Sequence, residues 1–202
     1  SLDAGSNYNV FIGENVSDAA MNDAVENTAV GYSALSSLTT GDENTMIGRL
    51  AGRDIGSGAG NVMIGSAAGY QAEEDVAQCV IIGRGAFNGV ATDAANGTVA
   101  IGYGAGAAIT SGAANVAIGY QAGDALNIGG DNVAIGTGAL TTEDVGDRAV
   151  AVGTNALFSQ NSDSDNEDSL NIGIGHAAGY YNVTGQNNTY IGFKSGFGTS
   201  GY

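Results

Sequence analysis

Hydrophobic and polar positions follow a five-residue pattern that occurs eleven times along this chain. Each copy has a small or polar residue (usually Asn), a β-branched residue, a variable apolar residue, Ile or Val, and Gly, as in Asn115-Val-Ala-Ile-Gly119. Successive closing glycines are 17 to 19 residues apart, except for one step of 22. Self-similarity at a nearly fixed period is the signature of a repeat architecture. The pattern therefore predicts a solenoid with coils at about 9–197, inside a single domain of residues 1–202.

Alternation within the pattern predicts a strand with two different faces. We number the repeat from its first residue, so that Gly is position 5. Positions 2 and 4, such as Val116 and Ile118, share one face, because side chains alternate along a strand. Their β-branched side chains suit a packed surface, which predicts that they point into the core. Position 3, such as Ala117, faces the other way and is apolar too, so a second copy of the chain is expected to cover it.

Glycines are predicted to form the corners of each coil. The corner at position 5 is followed ten residues later by a second Gly in many copies, and an apolar residue usually lies between them, seven residues after the first Gly. The expected coil therefore has two short strands, and the fold class is an all-β parallel β-roll of about eleven coils. The predicted corners are Gly31, Gly48, Gly65, Gly83, Gly102, Gly119, Gly136, Gly153, Gly175 and Gly192. The apolar residues between corners include Leu38, Ile55, Val90, Ile109 and Leu126.

Asparagine at position 1 is expected to form a structural ladder along the rod. Equivalent residues of adjacent coils would stack, and amide side chains can hydrogen-bond from one layer to the next. The members of this ladder are Asn27, Asn44, Asn61, Asn115, Asn132, Asn171 and Asn188.

Charge and composition restrict the partners and the chemistry. Five basic residues against 21 acidic ones give a net charge of −16, which disfavours nucleic acid and anionic lipid. No apolar run is long enough to insert in a membrane. One cysteine and one histidine leave little material for metal or catalytic clusters, so we expect no cofactor and no enzymatic activity.

The 22-residue step places an acidic insertion at 158–169. Four of its carboxylates, Asp163, Asp165, Glu167 and Asp168, could supply oxygen ligands for Ca²⁺. The insertion lacks the spacing of an EF-hand loop, and a solvated loop is the alternative.

Position 6, just after the corner, varies most between copies. It holds Tyr32, Tyr103, Tyr120 and His176, and exposed Tyr beside Asp and Asn would suit a sugar ligand. The alternative is a row of aromatic and Arg side chains along a subunit contact.

The segment from Asn115 to Gly123, Asn-Val-Ala-Ile-Gly-Tyr-Gln-Ala-Gly, resembles the head repeat of trimeric autotransporter adhesins, and the longer copy at Asn27–Gly41 resembles repeats of bacteriophage tail fibres. The resemblance implies a left-handed β-roll, a homotrimer, and an extracellular place on a virion tail fibre or a bacterial surface. It also implies a non-enzymatic attachment module that binds a host-surface glycan or protein receptor. A purely structural spacer of an appendage is the alternative.

Overall fold

The computed structural model describes residues 8–73, 75–92, 95–164 and 167–198. Its eleven strands form one parallel sheet in sequence order, joined by ten turns of the chain, which confirms the predicted β-solenoid. We number each coil by its strand. The strands are β1 Val10–Ile12, β2 Thr28–Val30, β3 Thr45–Ile47, β4 Val62–Ile64, β5 Val80–Ile82, β6 Val99–Ile101, β7 Val116–Ile118, β8 Val133–Ile135, β9 Val150–Val152, β10 Ile172–Ile174 and β11 Thr189–Ile191.

Strand pairing aligns every repeat position with the same position of the next coil. Ala117, for example, pairs with Ala100 on one side and with Ala134 on the other. Each position therefore forms a row that runs along the rod, with a spacing of about 4.8 Å between neighbouring members. A property of one repeat position thus becomes a property of a whole surface or of a whole layer of the core.

The prediction that positions 2 and 4 point into the core is wrong. Position 3 points into the coil, where Ala117 is fully buried, whereas its neighbours Val116 and Ile118 point outward and are only partly covered. A coil of about 17 residues is narrow, and the position 3 side chain shares its interior with the buried Ala at position 8, such as Ala122. The bulky β-branched residues are therefore outside, and the face that lacks a cover is the Val and Ile face.

Complementary sizes at positions 3 and 9 show how the narrow core is filled. Where position 3 is Met46, position 9 is Gly52, and a Cβ on Gly52 would lie 2.6 Å from the Met46 sulfur. Where position 3 is Ala134, position 9 is Leu140, and both are fully buried. The two positions thus share one volume inside the coil, and in these two coils a large residue at one position accompanies a small residue at the other.

The predicted second strand is absent from the described part of each coil. After the corner, the backbone instead passes through left-handed conformations at positions 7 and 9, for example at Gln121 (φ 50°) and Leu140 (φ 51°). Such residues cannot belong to an extended strand. Hydrogen bonds between coils nevertheless continue there, as from Gln121 N to Tyr103 O at 2.9 Å.

The apolar position between the corners is buried in most coils, with two kinds of exception. Leu38, Ile55, Ile109 and Leu126 are fully buried, but Val90 is 52% exposed. In that coil Ile81 and Phe87 already fill the interior, so no room is left for Val90.

The second exception is a polar replacement beside the acidic insertion. In coil 8 this position is the fully buried Glu143, whose Oε1 accepts hydrogen bonds from Gly146 N at 2.8 Å and from Ser162 N at 3.1 Å. In coil 9 it is Gln160, whose Oε1 accepts from Asn171 Nδ2 at 2.8 Å. Buried polar groups are stabilised by hydrogen bonds, and the side-chain oxygens of these two residues provide bonds that fasten the start of the insertion to the rod, although Gln160 Nε2 has no partner among the described residues.

The asparagines of position 1 bond mainly to backbone groups of the next coil. Asn132 is typical: its Oδ1 accepts from Ala149 N at 2.8 Å, and its Nδ2 donates to Gly146 O at 2.8 Å. The same pattern links Asn44 to Asn61, with Asn44 Oδ1 accepting from both the N and the Nδ2 of Asn61 at 3.0 Å. Each side chain therefore satisfies buried backbone groups that strand pairing leaves over.

The corner glycines lie where adjacent coils come closest. Gly119 has a φ of +136°, and a Cβ built on it would lie 2.7 Å from the carbonyl oxygen of Gly136 in the next coil. Both the backbone conformation and the contact therefore exclude any larger residue.

We expect Gly119→Ala to lower the free energy of unfolding by about 3 kcal/mol, because the added methyl group meets backbone that cannot move aside. Gly85→Ala is the matched control. A Cβ on Gly85 would have nothing within 4 Å, and Ala67 occupies the same repeat position with a similar φ of 57°. Urea denaturation followed by circular dichroism measures both variants, and equal losses of stability would contradict the assignment of the corner.

Candidate functional site

A concave surface of the described residues forms a groove that runs along the rod over coils 4 to 9. We call it the axial groove. One half has a volume of about 350 Å³ and is lined by Ala67, Arg84, Gly85, Asn88, Tyr103, Gly104, Ala107, Gln121 and Asp124. The other half has a volume of about 380 Å³ and is lined by Tyr120, Gln121, Asp124, Thr137, Gly138, Thr141, Asn155 and Phe158. Gln121 and Asp124 belong to both halves, so the two are continuous.

Position 6 supplies one wall of the axial groove as a continuous stack. The Arg84 guanidinium carbon lies 5.6 Å from the centre of the Tyr103 ring. The rings of Tyr103 and Tyr120 are stacked with centroids 5.3 Å apart and planes 12° from parallel. In the next coil position 6 is Thr137, so the stack ends at Tyr120.

Position 10 supplies the opposite wall. There Phe158 and Tyr180 are stacked with centroids 4.9 Å apart, and the position 10 residue of the preceding coil is Thr141. A second aromatic stack therefore ends at Phe158. The two stacks end on either side of coil 8, where both walls carry threonine.

Gln121 and Asp124 form a polar bridge across the middle of the axial groove. Gln121 Nε2 donates to Asp124 Oδ2 at 3.2 Å, and the Thr141 hydroxyl donates to Asp124 Oδ1. These two donors fix the Asp124 carboxylate in place. The groove thus contains one acid at its centre and one base, Arg84, in its first half.

Asn88 contributes an unused hydrogen-bond acceptor. Its Oδ1 is buried at the lining of the first half of the groove and has no partner among the described residues. A buried polar atom without a partner is costly in a folded protein, which is why such atoms often mark a place for water or a ligand.

The groove exists because two rows of outer side chains become small over the same coils. Position 7 is Gly85, Gly104 and Gly138 in coils 5, 6 and 8, and position 10 shrinks to Ala107 in coil 6. At the two ends of the groove position 10 is large, with Tyr70 in coil 4 and Phe158 in coil 9. The packing of the core and the pairing of the strands do not require small residues at positions 7 and 10.

The four predicted ligand-binding residues are brought together only in part. Tyr103 and Tyr120 line the axial groove and are about half exposed. Tyr32 lies four coils from Tyr103, and His176 lies three coils from Tyr120, where it stacks on Phe193 at 5.4 Å. The groove therefore includes two of the four residues.

Other lining residues were missed in the sequence, namely Asn88, Gln121, Asp124, Thr137, Thr141 and Phe158. Several of them belong to position 10, which has no constant residue type from coil to coil. The coincidence of small residues at positions 7 and 10 is the signal that would have revealed them.

The acidic insertion does not form a metal site in its described part. Asp168 pairs with Arg148, and Glu167 Oε2 accepts from Asp163 N at 3.2 Å. Asp165 lies outside the described residues. Among the described residues, no group of three or more His, Cys, Asp or Glu side chains is placed to hold a metal ion. The calcium site therefore stays a prediction.

Comparison with known proteins adds no relative. No protein-family model, curated protein or solved structure matches the chain. The resemblance to adhesin and tail-fibre repeats therefore rests on the repeated motif. Within the residues that the structure describes, no helix has the length and apolar character needed to cross a bilayer.

Cys79 occupies position 1 of coil 5 and is fully buried, and its burial raises the pKa of the thiol. We expect it to react slowly with a disulfide reagent at pH 8 and at least about 100-fold faster in urea, because labelling requires the coil to open.

The raised pKa also fixes the sign of a pH effect. The contribution of the protonated thiol is fully present below the unfolded pKa of about 8.5 and is lost as the pH rises through the folded value. The unfolding free energy of the native chain should therefore fall faster above pH 8.5 than that of Cys79→Ala. Parallel stability curves for the two chains, measured by urea denaturation, would contradict this assignment.

Proposed function

We propose that this chain is a non-enzymatic attachment module of an extracellular appendage, either a phage tail fibre or a bacterial surface adhesin. In this proposal three copies of the chain form a left-handed β-roll trimer that binds a glycan or protein receptor on a host surface. The observation that carries the proposal is the axial groove, a local, chemically mixed concavity on a rod whose strand pairing and glycine corners repeat from coil to coil.

The outward Val and Ile face supports the assembly. Positions 2 and 4 hold only Val, Ile and Thr along all eleven strands, and no charged residue interrupts them. In the central strand β7, Val116 and Ile118 are partly exposed. Parallel sheets are normally covered on both faces, and an uncharged aliphatic face of this length is typical of a subunit interface. The resemblance of the repeat supplies the number three.

The groove supports attachment rather than a passive role. A trimer would present three equivalent grooves, and linked copies of a weak site bind a surface far more tightly than one copy does. A purely structural spacer is the second candidate. The regular Asn ladder and the rows of corner glycines favour a spacer, because they provide stiffness. A spacer, however, does not require the groove.

We expect light scattering to give three times the chain mass of 19.9 kDa. Ile118→Asp should reduce the mass to that of one chain, because it places a charge on the outward apolar face. Val90→Asp is the matched control, since Val90 is also an exposed aliphatic residue but lies away from the strands. A native chain that stays monomeric would refute the trimer.

Attachment itself is tested with fluorescently labelled protein on a panel of bacterial and epithelial cells. We expect the native protein to bind at least one cell type, and Ile118→Asp to bind about 100-fold more weakly because avidity is lost. Val90→Asp should bind like the native protein. Absence of binding to every surface would favour the spacer.

A further inference from the structure

We propose that the axial groove binds a neutral linear oligosaccharide whose chain runs parallel to the rod. This inference rests on the proposed attachment function and specifies the ligand of that function. It assigns a ring-stacking subsite to the second half of the groove and a polar subsite to the first half.

The dimensions of the groove fit an extended chain of several rings. It spans five steps between coils, from Ala67 to Asn155, or roughly 24 Å at the spacing of parallel strands. Each half has the volume of a small-molecule site. The Gln121–Asp124 bridge lies between the halves, so a ligand that fills both must pass over it.

The second half of the groove is built around the ends of two aromatic stacks. Tyr103 covers Tyr120 from one side, and Tyr180 covers Phe158 from the other. Thr137 and Thr141 occupy the next positions of the two rows in coil 8, so each terminal ring has a side that no aromatic neighbour in its own row covers. We call the space over coil 8 the coil-8 slot.

The chemistry of the coil-8 slot matches a sugar ring. Pyranoses combine an apolar C–H face, which packs on an aromatic ring, with an edge of hydroxyl groups. The slot provides the rings of Tyr120 and Phe158 together with the hydroxyl and amide groups of Thr137 and Asn155. An aromatic or aliphatic ligand would leave these polar groups without partners, which is unfavourable.

Acceptors in the first half favour a ligand rich in donors and without negative charge. Asn88 Oδ1 has no partner among the described residues, and Asp124 is an acceptor held in position by Gln121 and Thr141. Sugar hydroxyl or acetamido groups can donate to the Asp124 carboxylate. Arg84 is the single base that lines the groove, and its charge is outweighed by that of Asp124 and by the chain charge of −16. An acidic glycan would therefore be repelled.

The slot can be closed without disturbing the fold. Thr137→Tyr extends the Tyr103–Tyr120 stack by one coil, at a repeat position where Tyr already occurs. Thr154→Tyr makes the same change at the same position one coil further on, and Thr154 does not line the groove. Tyr120→Leu removes a terminal ring, and Tyr32→Leu is its control, because Tyr32 is similarly exposed and lies outside the groove.

The experiment measures binding of the full chain to the tetramers of β-1,4-linked glucose and N-acetylglucosamine, and to the anionic tetragalacturonate, by isothermal titration calorimetry. We expect at least one neutral tetramer to bind and the anionic one to bind more weakly. Thr137→Tyr and Tyr120→Leu should each lose about tenfold or more in affinity, while the two control variants keep the native value.

Several results would overturn the inference, and they differ from a failure of the proposed function. The sugar site is refuted if the neutral tetramers do not bind, if their binding survives Thr137→Tyr, or if tetragalacturonate binds more tightly. The attachment function would still stand in those cases if Thr137→Tyr retains cell binding. Loss of the trimer in Tyr120→Leu would show that the stack is a subunit contact, which also overturns it. If neither cells nor sugars bind the native protein, both proposals fail.

Discussion

The close approach of consecutive backbones at the glycine corner is the constraint on which the rest of the structure depends. A Cβ on Gly119 has no room beside the carbonyl of Gly136, so each coil can lie directly on the next only because the corner has no side chain. Direct stacking keeps the strands in register, and register aligns equal positions into rows. The Asn bonds, the filled interior and the aromatic stacks all depend on that alignment.

The same alignment separates the residues that hold the fold from those that form the groove. Positions 3 and 8, and a large residue at position 9, fill the interior, as Ala134, Ala139 and Leu140 do in coil 8. Positions 6, 7 and 10 lie outside it, and position 7 keeps its left-handed conformation whether it holds Gly104 or Gln121. Side chains on these rows can therefore change in size without altering the core, which is how a groove can exist on a regular rod.

The sequence predicted the repeat, the parallel stacking and the row of asparagines, because period and register follow directly from the spacing of Gly and Asn. It did not predict the direction of the strand faces, since both faces are apolar and the larger residues were assigned to the core. The overlooked signal is the size of the position 9 residue: Gly52 accompanies the large Met46, and Leu140 accompanies the small Ala134. Residues that compensate in volume in this way share one interior. The groove could not be predicted because it arises from the combination of outer rows, of which only Tyr103 and Tyr120 stood out.

In-register pairing also determines how such a rod can change in length. Adding or removing one complete repeat restores every row and shifts the groove along the shaft by about one strand spacing of 4.8 Å. Extra residues within a repeat have no equivalent positions in the neighbouring coils, as in the 22-residue step, where the buried Glu143 Oε1 accepts a hydrogen bond from Ser162 N. Reach and recognition are thus separable in this architecture: duplication of whole coils would set how far the groove stands from its base, while substitutions on the outer rows would set what it binds.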